Sequence, residues 1–330
     1  MQARNRKIFR SISRAVGWAG ALASAFALSA CSKANYGCDS EEGRQSIVGD
    51  VDQYLSDQNC AAALALVEKY YPLDGCGTDD MRLARASANA CAANVNFFQL
   101  VSDLGSENIV GSEMWVTFTK LFPSTISDQK VTGGQNALDA LFAIKVPGSL
   151  TPAQYEINTT TPNPGTLVAA NRTQDSNIYA MLVSMSLIGS LQNRYGAPDG
   201  AYHKTKKLGA TAGNANGWEV PTAVDVNACT YAGAVMTFFD SITQVSTILS
   251  SSLGSSLGGD LTTAATTYTA LFNNACDAGC QACGMAAGSC NPCPTELRNR
   301  YSCTGVATDK PTCAAAGLVN FIDNNALGWP

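Results

Sequence analysis

The distribution of cysteine constrains this chain of 330 residues more than any other feature, because a disulfide fixes which segments must touch. Thirteen cysteines occur, and none lies between Cys91 and Cys229, a gap of more than a hundred residues. Apart from Cys31, the cysteines form two even groups. These are Cys38, Cys60, Cys76 and Cys91, and then Cys229, Cys276, Cys280, Cys283, Cys290, Cys293, Cys303 and Cys313. The sequence therefore predicts two disulfide-stapled regions.

The first 30 residues indicate export from the cytosol. Five basic residues between Arg4 and Arg14 precede an uncharged apolar stretch over residues 15–28, which is the pattern of a secretory signal peptide. The alternative is a transmembrane helix, but 14 residues are short for a span that needs about 20. Export would place the cysteines in an oxidising compartment, where disulfides persist.

The leader ends in Leu28-Ser29-Ala30-Cys31, which resembles the lipobox of bacterial lipoproteins. The resemblance implies that a diacylglyceryl group alkylates Cys31, which becomes the first residue of the mature chain. Two or three acyl chains would attach the protein far more firmly than one. Because Ser32 rather than Asp follows the cysteine, the resemblance implies the outer membrane, on its periplasmic or surface face. A plain signal peptide with a chance cysteine is the other interpretation.

The net charge of the chain without its first 30 residues argues against anionic partners. Loss of residues 1–30 leaves 16 basic against 26 acidic residues, a net charge of −10 on 300 residues. Nucleic acid is not an expected partner, because binding it requires clusters of basic residues. Anionic headgroups would also repel this chain, so we expect the lipid to provide the anchor.

Helical periodicity near the N-terminus predicts a hairpin with defined disulfides. Apolar residues recur at helical spacing over 44–55, and a second helix begins after a turn at 57–59. A third helix is predicted to run from Asp79 or Asp80 to Phe98. Cys60 and Cys91 lie about equally far from the intervening turn at Gly75, so antiparallel helices would bring them together. The predicted pairs are Cys60 with Cys91 and, from the two that remain, Cys38 with Cys76.

The same argument applies to a later hairpin. Apolar stripes over 235–249 and 261–272 flank a Ser/Gly-rich connection at 250–259. Cys229 and Cys276 lie nearly equidistant from its centre, which predicts that they pair. The pairing of the last six cysteines stays open, since six allow 15 arrangements.

Three further helices are predicted between these regions, at 113–121, 135–144 and 177–195. The last is uncharged from Ser176 to Asn193, so a membrane span is an alternative to a buried core helix. Long irregular loops are predicted at about 147–173 and 196–221, and such loops are usually functional or disordered.

The predicted fold is all-α, an irregular array of helical hairpins stapled by disulfides, with a Cys-rich, loop-dominated C-terminal region. Its predicted divisions are a signal peptide at 1–30, a tether at 31–43, a helical domain at 44–276 and the Cys-rich region at 277–330 packed on the helices. The hairpin at 59–98 resembles the helix pairs of tetratricopeptide-like repeats, although the Trp-Leu-Gly-Tyr pattern and a 34-residue period are missing. The resemblance implies a scaffold that binds partners on a concave surface.

Two cysteine pairs could carry chemistry of their own. Cys280-Gln-Ala-Cys283 and Cys290-Asn-Pro-Cys293 have a spacing that can hold tetrahedral zinc through four thiolates. In an oxidising compartment with four more cysteines nearby, structural disulfides are favoured. A thioredoxin-like pair is a third interpretation, but it would follow a strand.

One serine motif is present. Gly254-Ser255-Ser256-Leu257-Gly258 matches the nucleophile elbow of hydrolases. No apolar strand precedes Ser256, low-complexity sequence generates the pattern freely, and the single histidine, His203, precedes the serine instead of following it.

A basic run suggests a binding loop. Its residues are Tyr202, His203, Lys204, Lys206 and Lys207, with Trp218 as a nearby stacking face. It is either a solvated loop tip or a contact for phosphate or carboxylate groups on envelope glycans or a partner protein.

The sequence thus predicts a non-enzymatic, lipid-anchored lipoprotein of the bacterial cell envelope that acts as a helical binding or scaffold module. Expected partners are the membrane, through Cys31, and envelope proteins or glycans, and no cofactor or metal is expected. The alternative is an envelope enzyme, either a serine hydrolase using Ser256 or a thiol oxidoreductase using Cys280/Cys283 or Cys290/Cys293.

Overall fold

The computed structural model of the chain describes residues 36–95, 114–122, 127–155, 162–218, 226–253, 255–306 and 308–324. For residues 247–253, 255–262 and 264 the description covers the backbone alone. Over these residues the fold is all-α and disulfide-stapled, as predicted, with no β-strand. The helices are α1 (Glu41–Ser56), α2 (Cys60–Tyr70), α3 (Asp79–Ala92), α4 (Met114–Leu121), α5 (Asp128–Phe142), α6 (Pro152–Tyr155), α7 (Gln174–Tyr195), α8 (Val226–Leu253), α9 (Ser255–Ala282) and α10 (Lys310–Asn324).

Helices α1, α2 and α3 form an N-terminal unit with an apolar core of its own. Each helix begins at a side chain that accepts a hydrogen bond from a backbone N–H of its first turn, which is the preferred N-cap arrangement. These caps are Ser40, Asn59 and Thr78. The core of the unit includes Ile47, Val51, Ala63, Val67 and Met81, all fully buried. Burial of the apolar faces of the three short helices against one another stabilises the unit.

Helix α3 also belongs to the larger core formed by the rest of the chain. Ala84 and Ala88 face the N-terminal unit, whereas Ala86 and Ala90 are buried in the second core, where α3 packs against α5. Small alanine side chains on both faces let two layers approach the same helix. The N-terminal unit is therefore joined to the larger core through α3.

Helix α3 is shorter than predicted. Asn94 has a φ of 64°, and the N–H of Val95 bonds the carbonyl of Ala90 at 2.9 Å, which is a Schellman end. The helix ends at Ala92, so the prediction that it continues through Val95 is wrong. The predicted end at Phe98 lies outside the described residues.

Both disulfides predicted for the N-terminal unit are confirmed. Cys60 of α2 bonds Cys91 of α3 with a Cα–Cα distance of 5.4 Å. Cys38, just before α1, bonds Cys76 in the α2–α3 loop with a Cα–Cα distance of 4.8 Å. Residues 36–43, which were predicted to be part of a tether, thus include a covalent contact to the folded unit.

Helix α7 is the centre of the larger core, with α4, α5 and α8 packed around it. Several of its polar residues are satisfied inside the protein: Gln192 accepts a hydrogen bond from Thr119 at 2.9 Å and donates one to the hydroxyl of Tyr231 at 3.0 Å. The buried hydroxyl of Ser184 has no hydrogen-bond partner. α7 is thus a buried core helix. Among the described helices, none is both long and apolar enough to cross a membrane.

Three disulfides along one helix hold the C-terminal region in place. Cys276 and Cys280 of α9, and Cys283 directly after its end, bond Cys293, Cys290 and Cys313 respectively. Their spacing of four and three residues places them along one helix face. The loop after α9 and the start of α10 are therefore covalently attached to α9, and the predicted Cys-rich region contains a helix, α10, that the sequence did not reveal.

The predicted Cys229–Cys276 pair is wrong. Cys229 of α8 bonds Cys303, and Cys276 bonds Cys293. The prediction considered only the two helices of a hairpin, but α10 and the 3-10 helix Thr295–Arg298 also pack against α8. Returning segments supply the nearer partners.

Two glycine-containing segments that look like loops are helical. The Ser/Gly stretch at 250–259 lies within α8 and α9 except for residue 254, which is outside the described residues. Helix α5 begins at Asp128, seven residues before the predicted start, and includes Gly133 and Gly134. A Cβ at Gly133 would lie 2.9 Å from the carbonyl oxygen of Asn89, so glycine allows α3 to approach.

The two predicted irregular stretches are packed against the helices. The first contains α6 and short 3-10 helices at Pro164–Leu167 and Ala169–Asn171, with Leu167 and Arg172 buried. The second is described as far as residue 218 and consists of turns and isolated bridges, such as Pro198 with Lys204. Residues 219–221 lie outside the described residues.

Substitution of Gly279 should test the close contact between α9 and α10. A Cβ at this position would lie 2.2 Å from the carbonyl oxygen of Cys313 and 2.7 Å from the Cα of Gly317. We expect Gly279→Ala to lower the free energy of unfolding by about 1–3 kcal/mol, because backbone must move to admit the methyl group. Urea unfolding of the oxidised protein measures this loss.

Gly49→Ala is the matched control, since Gly49 lies inside α1 and a Cβ there meets nothing within 4 Å. It should stabilise the protein by up to about 1 kcal/mol through helix propensity. A similar effect of the two substitutions would contradict the packing argument.

Candidate functional site

A polar cleft lies where α5, α8 and the C-terminal segment meet. It is the place where several charged side chains converge on a concave surface, so it is the first candidate for a site. About 20 Å³ is open to the centre of a water molecule, which is room for roughly one water. The lining residues are Gln135, Leu138, Asp139, Phe142, Leu187, Cys229, Thr230, Gly233, Ala234, Arg298 and Arg300.

Arg300 and Asp139 form the main ion pair of the cleft, with Nη2 of Arg300 2.8 Å from Oδ2 of Asp139. Arg300 also donates to the side-chain oxygen of Asn136 at 2.8 Å and to that of Gln135 at 3.4 Å. Its Nε is buried without a hydrogen-bond partner. Gln135 in turn donates to the hydroxyl of Thr230 at 2.7 Å, so the polar groups form one connected network.

Burial raises the pKa of Asp139 to about 6, against the lowering effect of Arg300 and Arg85. Desolvation prevails because the carboxylate is largely withdrawn from water while Arg300 shares its donors among several acceptors. Arg85 itself pairs with Glu68 at 2.7 Å and lies over the ring of Tyr71. Charges of alternating sign therefore follow one another from Glu68 through Arg85 and Asp139 to Arg300.

A second arginine of the cleft is also paired. Arg298 donates to Asp240 and to the carbonyl oxygen of Pro294, the latter at 3.2 Å. Near this pair, buried Arg172 donates to Asn177 at 3.1 Å and to the carbonyl of Leu167 at 3.2 Å. Burial lowers the pKa of Arg172 to about 10. Arg172 thus connects the first irregular stretch to α7, and Arg298 connects the C-terminal segment to α8.

The chemistry available to the cleft is limited by its size and its charge balance. Each lining arginine is opposed by a carboxylate, and the hydroxyl of Thr230 is already bound to Gln135. The group able to change state near neutral pH is Asp139, which can take up a proton. The arrangement suits proton binding and the retention of one water molecule.

The predicted basic loop is largely committed to internal contacts. Trp218 is 2% exposed and packs against Tyr195 and Tyr231, so it offers no stacking face and that part of the prediction is wrong. Lys206 donates to the carbonyl oxygen of Ala210 at 2.8 Å. Tyr202 has a backbone φ of 66°, and Lys207 is half-buried. At the surface, Nδ1 of His203 lies 4.0 Å from Oδ2 of Asp199.

Lys204 is not a surface cation, contrary to prediction. Its side chain is 7% exposed and pairs at 2.9 Å with Asp323 of α10, whose side chain is 0% exposed. Asp323 also accepts the backbone N–H of Leu208 at 3.0 Å. This buried pair attaches the loop after α7 to α10.

The two C-x-x-C motifs do not contain disulfides between their own members. Cys280 bonds Cys290, while Cys283 and Cys293 bond Cys313 and Cys276. Each sulfur is already in a cystine, so in this state the motifs supply neither a zinc thiolate set nor a redox dithiol. Among the described residues there is no cluster of His, Cys, Asp and Glu suited to a metal ion.

The serine motif does not have the backbone of a hydrolase elbow. Ser256 is in the first turn of α9, and helix α8, not a strand, precedes it. Gly254 and the side chain of Ser256 lie outside the described residues, as do Cys31 and the whole leader.

The cleft residues were missed in the sequence, although one signal was present. Asp139 is an isolated charge between Leu138, Ala140 and Leu141 on a helix with a strong apolar face, and such a charge must find a partner. Its partner Arg300 is 161 positions later, beyond the reach of local patterns.

No protein-family model, no curated protein and no solved structure matches this chain.

Asp139→Asn should remove a pH dependence of stability. The folded protein holds the proton of Asp139 more tightly than the unfolded chain does, since its pKa is raised from 3.8 to about 6. Parent stability should therefore fall by about 2–3 kcal/mol as pH rises through this window. The amide cannot ionise, so the stability of Asp139→Asn relative to the parent should increase over the same window.

Urea unfolding at several pH values measures this difference, with Asp57→Asn at an exposed turn as the control for loss of a carboxylate. Parallel pH profiles for the parent and Asp139→Asn would contradict the assignment.

Lys204→Met should be strongly destabilising, because it leaves the carboxylate of Asp323 buried without its cation. We expect a loss of about 3–5 kcal/mol in the free energy of unfolding. Lys206→Met removes one hydrogen bond to a carbonyl and should lose only about 1 kcal/mol. Equal losses in denaturant titrations of the oxidised proteins would show that Lys204 is not a buried partner.

Proposed function

We propose that this protein is a lipid-anchored lipoprotein of the bacterial cell envelope that acts as a non-enzymatic helical scaffold or binding module. One observation carries the proposal: the twelve described cysteines form six disulfides among themselves. Cys31 therefore has no cysteine of its own chain left as a partner. An unpaired cysteine in an exported protein needs another use, and its position after Leu28-Ser29-Ala30 suits acylation.

The number and placement of the disulfides support an extracytoplasmic location. Such bonds persist where no reducing system acts on them. Each stabilises the fold by about 2–4 kcal/mol, chiefly by restricting the unfolded chain. Two of the six bonds crosslink the N-terminal unit, and four crosslink the C-terminal region to α8, α9 and α10. Such crosslinking suits a protein that is exposed to an oxidising compartment.

The scaffold part of the proposal follows from what the described surfaces offer. The cleft has room for about one water, and both C-x-x-C motifs are closed by bonds to other cysteines. We therefore expect the protein to bind partners through the side chains on the outer surfaces of its packed, acidic helices. Envelope proteins or glycans are the proposed partners, and the hairpin at 59–98 is the proposed tetratricopeptide-like element.

Anchoring can be tested on the protein extracted from bacterial membranes. We expect the mature chain to begin at Cys31, its first peptide to carry the mass of a diacylglyceryl group, and the non-reduced protein to contain no titratable thiol. Cys31→Ser should release the protein from the membrane and leave all six disulfides intact, since Cys31 takes part in none of them.

Peptide mass spectrometry, thiol titration and detergent phase partition are the measurements. A chain that begins at Met1, or a first peptide without lipid, would contradict the anchor. Labelling of Ser256 by a fluorophosphonate, or two reactive thiols in the native protein, would contradict the non-enzymatic function.

A further inference from the structure

The described part of the chain begins at Tyr36, five residues after Cys31. The hydroxyl of Tyr36 donates to the carboxylate of Asp50 in α1, and its ring packs edge-on against Tyr70 with centroids 5.4 Å apart. The bond to Asp50 and burial raise the pKa of Tyr36 to about 12, so the phenol stays protonated and able to donate. Five peptide units separate Tyr36 from Cys31, which spans at most about 18 Å when fully extended.

The entering segment is fixed against one end of the N-terminal unit. Cys38 is bonded to Cys76 of the α2–α3 loop, and its carbonyl oxygen accepts from Nη1 of Arg44 at 2.6 Å. Gly75 lies so close that a Cβ would be 2.7 Å from that same oxygen. The chain thus enters beside the loop that joins α2 to α3.

The tip of that loop is exposed and carries an apolar side chain. Residues 72–75 are all exposed, and Leu73 has 51% of its surface accessible. Backbone hydrogen bonds hold the turn in shape: the N–H of Leu73 bonds the carbonyl of Tyr70 at 2.9 Å, and that of Cys76 bonds the carbonyl of Leu73 at 3.1 Å. Leu73 is presented by a fixed turn at the end where the chain enters.

We propose that the loop tip at 72–75 rests on the surface of the bilayer that holds the acyl chains, with Leu73 among the lipid headgroups. This inference rests on the proposed lipid anchor at Cys31. One leucine binds a membrane weakly, but a tether of at most about 18 Å makes the contact intramolecular and raises the effective concentration of lipid. By contrast, the turn between α1 and α2 lies at the other end of the unit.

Charge at this end specifies the kind of lipid surface. The exposed carboxylates include Asp39, Glu41, Glu42 and Asp74, and Asp79 and Asp80 at the start of α3. They would be repelled by anionic headgroups, and the repulsion would weaken with added salt. The surface that fits is therefore a zwitterionic phospholipid layer.

The test uses the lipidated full chain in phosphatidylcholine vesicles that contain headgroup nitroxides as fluorescence quenchers. Leu73→Trp places an indole at the loop tip, and Ala61→Trp is the matched control. Ala61 is also exposed, on the first turn of α2, and lies about 14 Å from Tyr70 along the helix axis. Each variant is compared with the parent chain, and circular dichroism and thiol titration verify its fold.

We expect headgroup quenching of L73W to exceed that of A61W by about twofold or more, since interfacial side chains lie at the headgroup boundary. Replacing part of the phosphatidylcholine by phosphatidylglycerol should reduce the quenching of L73W at low salt, and added salt should restore it. Cys31→Ser combined with L73W should lose the quenching altogether.

Equal quenching of the two indoles in a chain that carries the lipid mass would overturn this inference and leave the lipid anchor standing. Stronger quenching of L73W on anionic vesicles would also overturn it, because the carboxylates would then not face the lipid. Absence of lipid on Cys31 would instead contradict the proposed function itself.

Discussion

The attachment of the C-terminal region to α9 is the constraint on which the larger core depends. Two cystines begin on this helix and a third begins at Cys283, the residue after its end. Between them the backbones of α9 and α10 meet at Gly279 and Gly317. Glycine is required at both positions, because a Cβ on Gly317 would lie 2.2 Å from the carbonyl oxygen of Ala275. The close approach buries Cys313, Ala314, Leu318 and other apolar residues of α10 in the core. The crosslinks add to this burial in holding the C-terminal segment and its 15-residue helix against α8 and α9.

Local patterns predicted the contact between α2 and α3 well because it spans a single turn. Cys60 and Cys91 lie on neighbouring helices joined by a short loop, so equal distances from Gly75 were enough to pair them. The same rule failed for Cys229, whose partner Cys303 is 74 positions away and arrives on a segment with no clear pattern. Helical periodicity also placed the start of α5 too late, since Gly133 and Gly134 resemble a loop in sequence but allow close packing against α3 and Leu187. Periodicity thus identified most of the long helices but not α10, and long-range packing decided the crosslinks of the C-terminal region.

The polar groups show why a site is harder to derive from sequence than a fold. A run of lysines suggests a surface that binds anions. In the structure, however, Lys204 is buried against Asp323, and this ion pair attaches the loop after α7 to α10. Trp218 lies beneath that loop, packed against Tyr195. Conversely, Asp139 and Arg300 come from an apolar helix and a Cys-rich segment, and only the folded chain brings them together. A charged residue has a role that depends on its partner, and the partner is set by tertiary structure.

The position of α3 links the two cores and so limits how an anchored molecule could be oriented. One face of this helix belongs to the unit that carries Cys38, and the other packs on α5 in the larger core. The charge series from Glu68 through Arg85 and Asp139 to Arg300 crosses the same junction, which makes independent rotation of the two parts unfavourable. If Cys31 carries lipid, the short stretch before Tyr36 fixes one end of the N-terminal unit near the bilayer. The shared helix α3 then carries that orientation into the larger core, because its other face packs against α5.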